Sequence, residues 1–384
     1  MRIPPFLLDQ WLASYEFTSP PIRYNLASST GPRWTFGDLL ALGDGRGLKD
    51  LGELRLSYAP PQGSEALRKQ VAALHDVDPD WVVITTGASE ALSALYCLAS
   101  EPGASITLPF PSFPAMPVMA RAWGLNVSTY ALDRENGFKQ SAERVLAAVG
   151  ESTRLVLINT PHNPTGSVMP YTEIARLAAS LEHRLIPLVV DEVYHPLYHA
   201  APAAPSAANL PNTIVLGDLS KALSLPGLRV GWLIDRDARR RERLIDLRSY
   251  FTISGSPLTE AIAAHALANR DEILGRLRAV AAANLVALTD FMNAHSDTLG
   301  WVAPAGGTTV FPWLRDGSDA KELCVALASA GVLFAPGYTF DAPDHFRLGF
   351  GAQSEGFAQA LNIVSDVLRA PRDQRTSVAA GARR

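Results

Sequence analysis

The chain has 384 residues, 47% of them apolar and 19% charged, with a net charge of −4 and a pI of about 6.1. That is a globular composition, long enough for two domains around a substantial core. No basic stripe marks a nucleic-acid surface, no apolar run is long enough to span a bilayer, and Cys97 and Cys324 sit in apolar helical patterns that predict buried, reduced thiols.

Residues 1–44 read as irregular, with Trp11, Trp34 and several glycines and prolines; Ser29-Thr30-Gly31-Pro32-Arg33 reads as a loop. The opening Met1-Arg2-Ile3-Pro4-Pro5 lacks a signal-peptide core, so a cytoplasmic location is expected. Gly43-Asp44-Gly45-Arg46-Gly47 follows no strand and does not match G-x-G-x-x-G. It reads as a flexible turn, and a dinucleotide dehydrogenase is disfavoured.

Tyr58-Ala59-Pro60-Pro61-Gln62-Gly63 leads into a predicted helix over 64–75, with Ser64 at its N-cap. A strand over 81–85 runs through Thr86-Gly87-Ala88-Ser89-Glu90 into a helix from about Ser89 to residue 100. Strand, small-residue turn and helix start together present free N–H groups to a phosphate; a plain serine cap fits the same residues. A strand over 106–108 ends in Pro109-Phe110-Pro111-Ser112-Phe113-Pro114, whose prolines fix a loop. A strand over 127–132 and a helix over 141–149 follow. The buried strand 154–159 then runs into the turn Thr160-Pro161-His162-Asn163-Pro164-Thr165-Gly166.

A helix over 172–183 precedes the strand 186–190, which ends on Asp191-Glu192-Val193-Tyr194. A carboxylate at the carboxyl end of a parallel strand lies where open α/β sheets bind ligands, although a helix-capping aspartate reads the same way. Pro196 interrupts the helical face that would align His195 and His199 with Glu192, so no metal set is expected.

Two apolar runs, 213–216 and 230–234, have the length and β-branching of buried strands. Between them lie Ser220, Lys221 and Arg229. A lysine so placed is costly unless neutralised, paired or covalently used; a loop lysine near a salt-bridged arginine is the bland alternative. Residues 237–250 read as a basic helix, with Arg236, Arg239, Arg240, Arg241 and Arg243 on a solvated face. Residues 257–293 form a long interrupted helical stretch. The patterns over 308–313, 320–330 and 332–335, with Phe346-Arg347-Leu348-Gly349-Phe350, predict a smaller α+β unit. The polar tail 371–384 is expected to be disordered.

In this order the motifs resemble the class I/II aminotransferases, the fold-type I enzymes of pyridoxal 5'-phosphate (PLP), from about Tyr58 to Arg347. The resemblance rests on Ser220-Lys221 with Gly227-Leu228-Arg229-Val230-Gly231, on Asn163-Pro164-Thr165-Gly166, on Asp191, and on the turn at Gly87. It implies an α/β fold: a large domain (45–270) around a mostly parallel seven-stranded sheet in an α/β/α arrangement, and a smaller α+β domain (271–370) joined by residues 1–44. It implies that Lys221 is the Schiff-base lysine and that Asp191 partners the pyridine nitrogen. Asn163 and Tyr194 would meet the phenolic oxygen. Gly87, Ala88, Ser89, Ser220 and Arg229 would hold the phosphate. Phe113 would stack on the ring where the family usually has tyrosine, and Arg347 with Asn163 would bind the substrate carboxylate. Tyr58 would reach the phosphate of the neighbouring subunit in a homodimer with shared active sites.

The implied activity is amino-group transfer between an L-amino acid and a 2-oxo acid. A lyase, decarboxylase or cyclase of the same fold is the alternative, because residues 217–257 also look like capreomycidine synthase, a PLP cyclase acting on an arginine derivative. A PLP-sensing regulator is disfavoured by the absence of a helix-turn-helix pattern. Asp218 departs from the family's usual Ser or Thr; a carboxylate beside a phosphate would cost about 1 kcal/mol or more unless turned away or paired with Arg229 or Lys221. Apolar loops near Trp11, Phe36 and Phe113 favour an aromatic or aliphatic substrate side chain.

Overall fold

The computed structural model describes residues 4–43, 49–199 and 204–370, and its N-terminal segment is more regular than composition predicts. Leu8 and Trp11 bury one stripe of helix α1 (Leu7–Ala13), and the Trp11 indole N–H donates to the Phe334 carbonyl at 2.8 Å. Strand β1 (Tyr24–Asn25) and helix α2 (Phe36–Leu40), capped by Thr35, follow. Elements this short carry no periodicity that stands out from an irregular stretch. The turn expected at residues 43–47 lies outside the described residues beyond Gly43, as does the expected tail 371–384.

Helix α3 (Glu65–His75) starts after Ser64 as expected, but the serine hydroxyl makes no cap; its backbone amide donates to Glu260 Oε2 at 2.7 Å. Strands and helices then alternate as far as β6, namely β2 (Val82–Thr85), α4 (Gly87–Ala99), β3 (Ser105–Phe110), α5 (Ala115–Ala122), β4 (Asn126–Ala131), α6 (Ala142–Ala147), β5 (Thr153–Asn159), α7 (Tyr171–Glu182) and β6 (Leu188–Asp191), and β7 (Thr213–Asp218) and β8 (Gly231–Asp235) follow with no α-helix between them. They build a seven-stranded sheet in the order β2-β8-β7-β6-β5-β3-β4. All neighbours are parallel except β8, which runs antiparallel to β7 and β2.

Helices cover both faces, which is why the strands are continuous apolar runs. Leu155, Leu157, Val189 and Ile214 face Leu92 and Leu95 of α4, while Val156, Ile158, Leu188 and Val190 face Ile174 and Leu177 of α7. Each such buried side chain contributes about 1.5–3 kcal/mol. The parallel register sets Asn159 against Asp191 at the carboxyl ends of β5 and β6.

Helices α8 (Ala238–Arg248), α9 (Pro257–Ala268) and α10 (Arg270–Ala294) follow, the interruption in the long stretch falling at Asn269. The solvated arginine face needs correction. Arg240 grips the fully buried Asp235 through two hydrogen bonds of 2.5 and 2.7 Å, Arg241 donates to the Asp235 carbonyl, and Arg236 lies over the Trp81 ring. A buried carboxylate at a strand end needs such partners; Arg236, Arg239 and Arg243 are exposed, as expected.

The remaining elements are β9 (Leu299–Gly300), β10 (Thr309–Val310), β11 (Trp313–Leu314), α11 (Ala320–Ser329), β12 (Val332–Leu333), β13 (Ala335–Pro336), β14 (Phe346–Gly349) and α12 (Phe357–Arg369). They form an antiparallel sheet, β10-β14-β13, and the pair β11-β9, while β1 pairs in parallel with β12. Cys324 is buried, but Cys97 is only partly so; both are free. No helix among the described residues is long and apolar enough to cross a membrane.

Candidate active site

Helix α4 begins at Gly87, two residues earlier than the sequence pattern placed it, with Thr86 at its N-cap. Gly87, Ala88 and Ser89 are therefore its first three residues, and their amides are the unpaired ones of the first turn. Gly87 has a φ of +73°, and a Cβ there would meet Arg229 Nη2 at 2.6 Å. A Cβ on Gly231 would meet the Gly87 carbonyl carbon at 2.4 Å. Bare backbone at both positions brings the guanidinium and the helix start together, and the result is an anion cradle.

The cradle opens into a cavity of about 190 Å³ that also takes in Phe113, Asn163, Asp191, Asp218, Ser220 and Lys221. Asp191 accepts the Val193 amide on Oδ1 at 3.1 Å. Burial, reinforced by the nearby Asp218 carboxylate, pushes its carboxyl up to about 7. Lys221 follows β7 on a bend; its Nζ donates to Ser29 Oγ at 2.9 Å, and burial lowers its pKa from the usual lysine value. Asp218 ends β7, accepts the Ser220 amide on Oδ1 at 2.9 Å, and lies in the field of Lys221 and Arg229 without a direct ion pair to either; burial raises its pKa.

Asn163 is fixed by a relay: its amide donates to Asn159 Oδ1 at 2.7 Å, and Asn159 Nδ2 donates to the Asp191 carbonyl at 3.0 Å. Arg347 on β14 is 2% exposed. Its Nη1 donates to Asn163 Oδ1 at 3.2 Å and its Nη2 to the Ala27 carbonyl at 2.7 Å, while Nε has no partner. Burial lowers it to about 10, so it stays charged at neutral pH.

Tyr194 is buried beside the cavity rather than lining it, and its hydroxyl donates to the Ser29 carbonyl at 3.1 Å. Tyr58 is 80% exposed and stands away from the cavity of its own chain. Ser29 and Asn159 are site residues that the sequence reading passed over. Ser29 touches Lys221, Tyr194 and Thr308. A serine in a Gly-Pro loop gave no signal; Asn159 had one, as the polar end of an apolar strand.

Glu192 and His195, weighed above with His199 for a metal, instead share a buried cluster with His75, which left no sign in the sequence: their ligand atoms lie within 4.8 Å of one another. Neighbours hydrogen-bond to it: Trp232 Nε1 donates to His75 Nε2 and Ser206 Oγ donates to Glu192 Oε2.

The fold and the site define a PLP-type α/β enzyme. The family profile "Aminotransferase class I and II" matches residues 46–364, and the chain belongs to that family, whose cofactor is PLP. Capreomycidine synthase of Streptomyces vinaceus is 32% identical over 95% of this chain and 94% of its own. A PLP-dependent aminotransferase from Streptococcus suis matches with a TM-score of 0.88 at 28% identity, covering 96% of this chain and 98% of that one. The PLP-dependent cyclase OrfR matches with 0.84 at 28% identity over the same shares.

The donor set fits the cofactor. The Gly87 turn with Arg229 suits a phosphate, Asp191 lines the cavity with a single backbone partner, and Lys221 lines the same cavity.

Proposed function

We propose that this protein is an aminotransferase moving an amino group between an L-amino acid and a 2-oxo acid. The observation that carries the reading is the buried Lys221 amine sharing one cavity with Asp191 and the Gly87–Arg229 cradle. When bound, PLP supplies a carbonyl carbon that takes the amino group and a ring that draws electrons from the substrate Cα.

Arg229, Ser220 and the amides of Gly87, Ala88 and Ser89 hold the phosphate. Asp191 holds the proton on the ring nitrogen by a charge-assisted hydrogen bond. Asn163 faces the ring oxygen and Phe113 covers the ring; Tyr194, whose hydroxyl is held on the Ser29 carbonyl outside the cavity lining, would have to turn to reach that oxygen. Lys221 anchors the cofactor. Once displaced, its amine, whose pKa burial lowers, would take the Cα proton and return it to the cofactor's former carbonyl carbon. The Arg347 fork, with Asn163 beside it, grips the substrate carboxylate and so aims Cα–H at Lys221.

A second reading keeps these roles and changes the product. The similarity to capreomycidine synthase across 95% of the chain, and to the cyclase OrfR, favours a cyclase or lyase reaction that returns the cofactor unchanged. One experiment separates them: the PLP-loaded protein is incubated with single amino acids and no 2-oxo acid. Stoichiometric formation of pyridoxamine phosphate supports the aminotransferase. Consumption of the amino acid in excess of cofactor, with PLP retained, selects the second reading.

We take residues 45–270 as the large domain and 271–370, joined by 1–44, as the small one; the β1–β12 pairing supports that grouping. The working assembly in this reading is a homodimer. Leu56, Tyr58 and Tyr250 are each at least 80% exposed. The Tyr58 loop is tied to the cradle through Arg248, which donates to the Pro61 carbonyl at 2.6 Å and pairs with Glu90 at 3.2 Å.

A further inference from the structure

Among the described residues two carboxylates line the cavity, Asp191 and Asp218, and only Asp191 has a partner in the reading given above. Strand alternation fixes where Asp218 points. Ile214 and Leu216 of β7 pack with Leu92 and Leu95 of α4, and Asp218, two residues on, faces the same side. On β8, Leu233 lies in that layer, and Gly231, two residues before it, is the register partner of Asp218. Gly231 has no side chain, and a Cβ there would stand 2.6 Å from the Ala88 nitrogen. The Asp218 side chain therefore flanks the gap above the first turn of α4, in the cavity wall it shares with Ala88, Ser89 and Arg229.

Asp218 is 8% exposed, and its Oδ1 accepts the Ser220 amide. The two cations beside it are directed elsewhere: Lys221 Nζ donates to Ser29 Oγ at 2.9 Å, and Arg229 Nη1 donates to the Pro226 carbonyl at 3.2 Å. From β6 the Asp191 carboxylate adds a like charge, and β8 offers only Gly231. From α4, Glu90 is engaged by Arg248 at 3.2 Å, and the Tyr96 phenol is buried and neutral. Burial raises the Asp218 pKa, so this carboxyl takes a proton more readily than an exposed one.

A phosphate ester carries about 1.5–2 negative charges at neutral pH, its last proton leaving near pH 6. Fully ionised, it would meet an ionised Asp218 as a like charge in a closed site. One proton between them replaces that repulsion with a charge-assisted O–H···O hydrogen bond.

We propose that Asp218 is a phosphate-binding residue of this site and that PLP is taken up with one proton shared between the Asp218 carboxylate and the phosphate. The balance is one phosphate dianion, one carboxylate and one proton. This rests on the PLP reading given above and deepens it: the phosphate end of the cofactor is held through a proton, so its grip weakens as pH rises. A serine or threonine at this position would donate its hydroxyl hydrogen at any pH.

The test compares PLP with pyridoxal, which has the same aldehyde and ring but no phosphate, in absorbance titrations of the cofactor-free protein between about pH 6 and pH 9. The ratio of the two affinities cancels the titration of Lys221 and Asp191. In the wild type the advantage of PLP over pyridoxal falls about tenfold or more across that range, one proton allowing at most about tenfold per unit. In D218N, whose amide donates at any pH, and in D218S, the advantage stays level or rises as the phosphate loses its last proton. A wild-type advantage that stays level or rises with pH overturns the proposal without recourse to a variant, and so does a fall in D218N or D218S equal to that of the wild type. If neither compound attaches, the PLP reading fails and the proposal falls with it. Attachment of both with a level ratio defeats the shared proton alone.

Discussion

Arg229 Nη2 occupies the space a Cβ on Gly87 would need, with 2.6 Å between them, and Gly87 holds a left-handed φ. Replacing this glycine therefore acts twice, on the backbone and on the arginine. Gly87→Ala is expected to cost about 1 kcal/mol or more of stability from strain alone. Displacing Arg229 is expected to weaken PLP binding about tenfold or more. Thermal melts and PLP titration of the cofactor-free protein measure the two effects separately. Wild-type PLP affinity in the variant would remove this turn from the phosphate site.

Lys221→Ala is expected to abolish covalent attachment and turnover. Borohydride reduction followed by mass analysis should add the cofactor mass to the wild type and nothing to the variant. Loss of a positioned proton carrier lowers the rate by about 10²–10⁴, and loss of the anchor adds to that. Added small primary amines should restore part of the activity. An active variant unaffected by added amines would mean that another group moves the proton.

The Asp191 carboxyl titrates near 7 in the fold and near the ordinary carboxylate value when unfolded. A raised pKa favours the protonated folded form. This contribution to stability is complete below the unfolded value and is lost as pH rises through about 7, at about 1.4 kcal/mol per unit of difference. Cofactor-free Asp191→Asn should therefore gain stability over wild type between pH 4 and pH 8, and the gap should narrow once PLP is bound. Parallel melting curves across that range would show that Asp191 is not held protonated.

Tyr58 projects outward from its own chain. If it completes the site of a second subunit, Tyr58→Ala and Lys221→Ala complement one another when mixed under conditions that exchange subunits. Hybrid dimers then carry one unaltered site, and activity appears that neither variant has alone. A monomer by light scattering, or no recovery on mixing, would contradict a shared site.

Most of the parallel sheet could be read from its runs, because strands buried on both faces are apolar throughout: 154–159 and 213–216 are nearly coextensive with β5 and the start of β7. Asp191 stood out as a carboxylate at the end of such a run, and Asn163 and Lys221 through the motifs that follow theirs, Asn163-Pro164-Thr165-Gly166 and Ser220-Lys221 with Gly227-Leu228-Arg229. Helix boundaries were less legible. The α4 start was placed at Ser89 because serine is a common cap, whereas Gly87 takes the left-handed backbone that Thr86 leads into. Ser29 and His75 left no trace in the pattern. Their positions depend on which distant elements the fold brings together, and the Lys221–Ser29 contact spans 192 residues of sequence.

The pairing of Tyr24 with Val332 carries a consequence for how the protein is made. On the ribosome Tyr24 emerges long before Val332, the edge it pairs with. Throughout synthesis the segment bearing Ser29 has no strand to join, while the seven-stranded sheet can already assemble behind it. A bulky N-terminal fusion would therefore interfere at the final docking event, leaving a chain that is soluble and well folded in its sheet but poor in substrate capture.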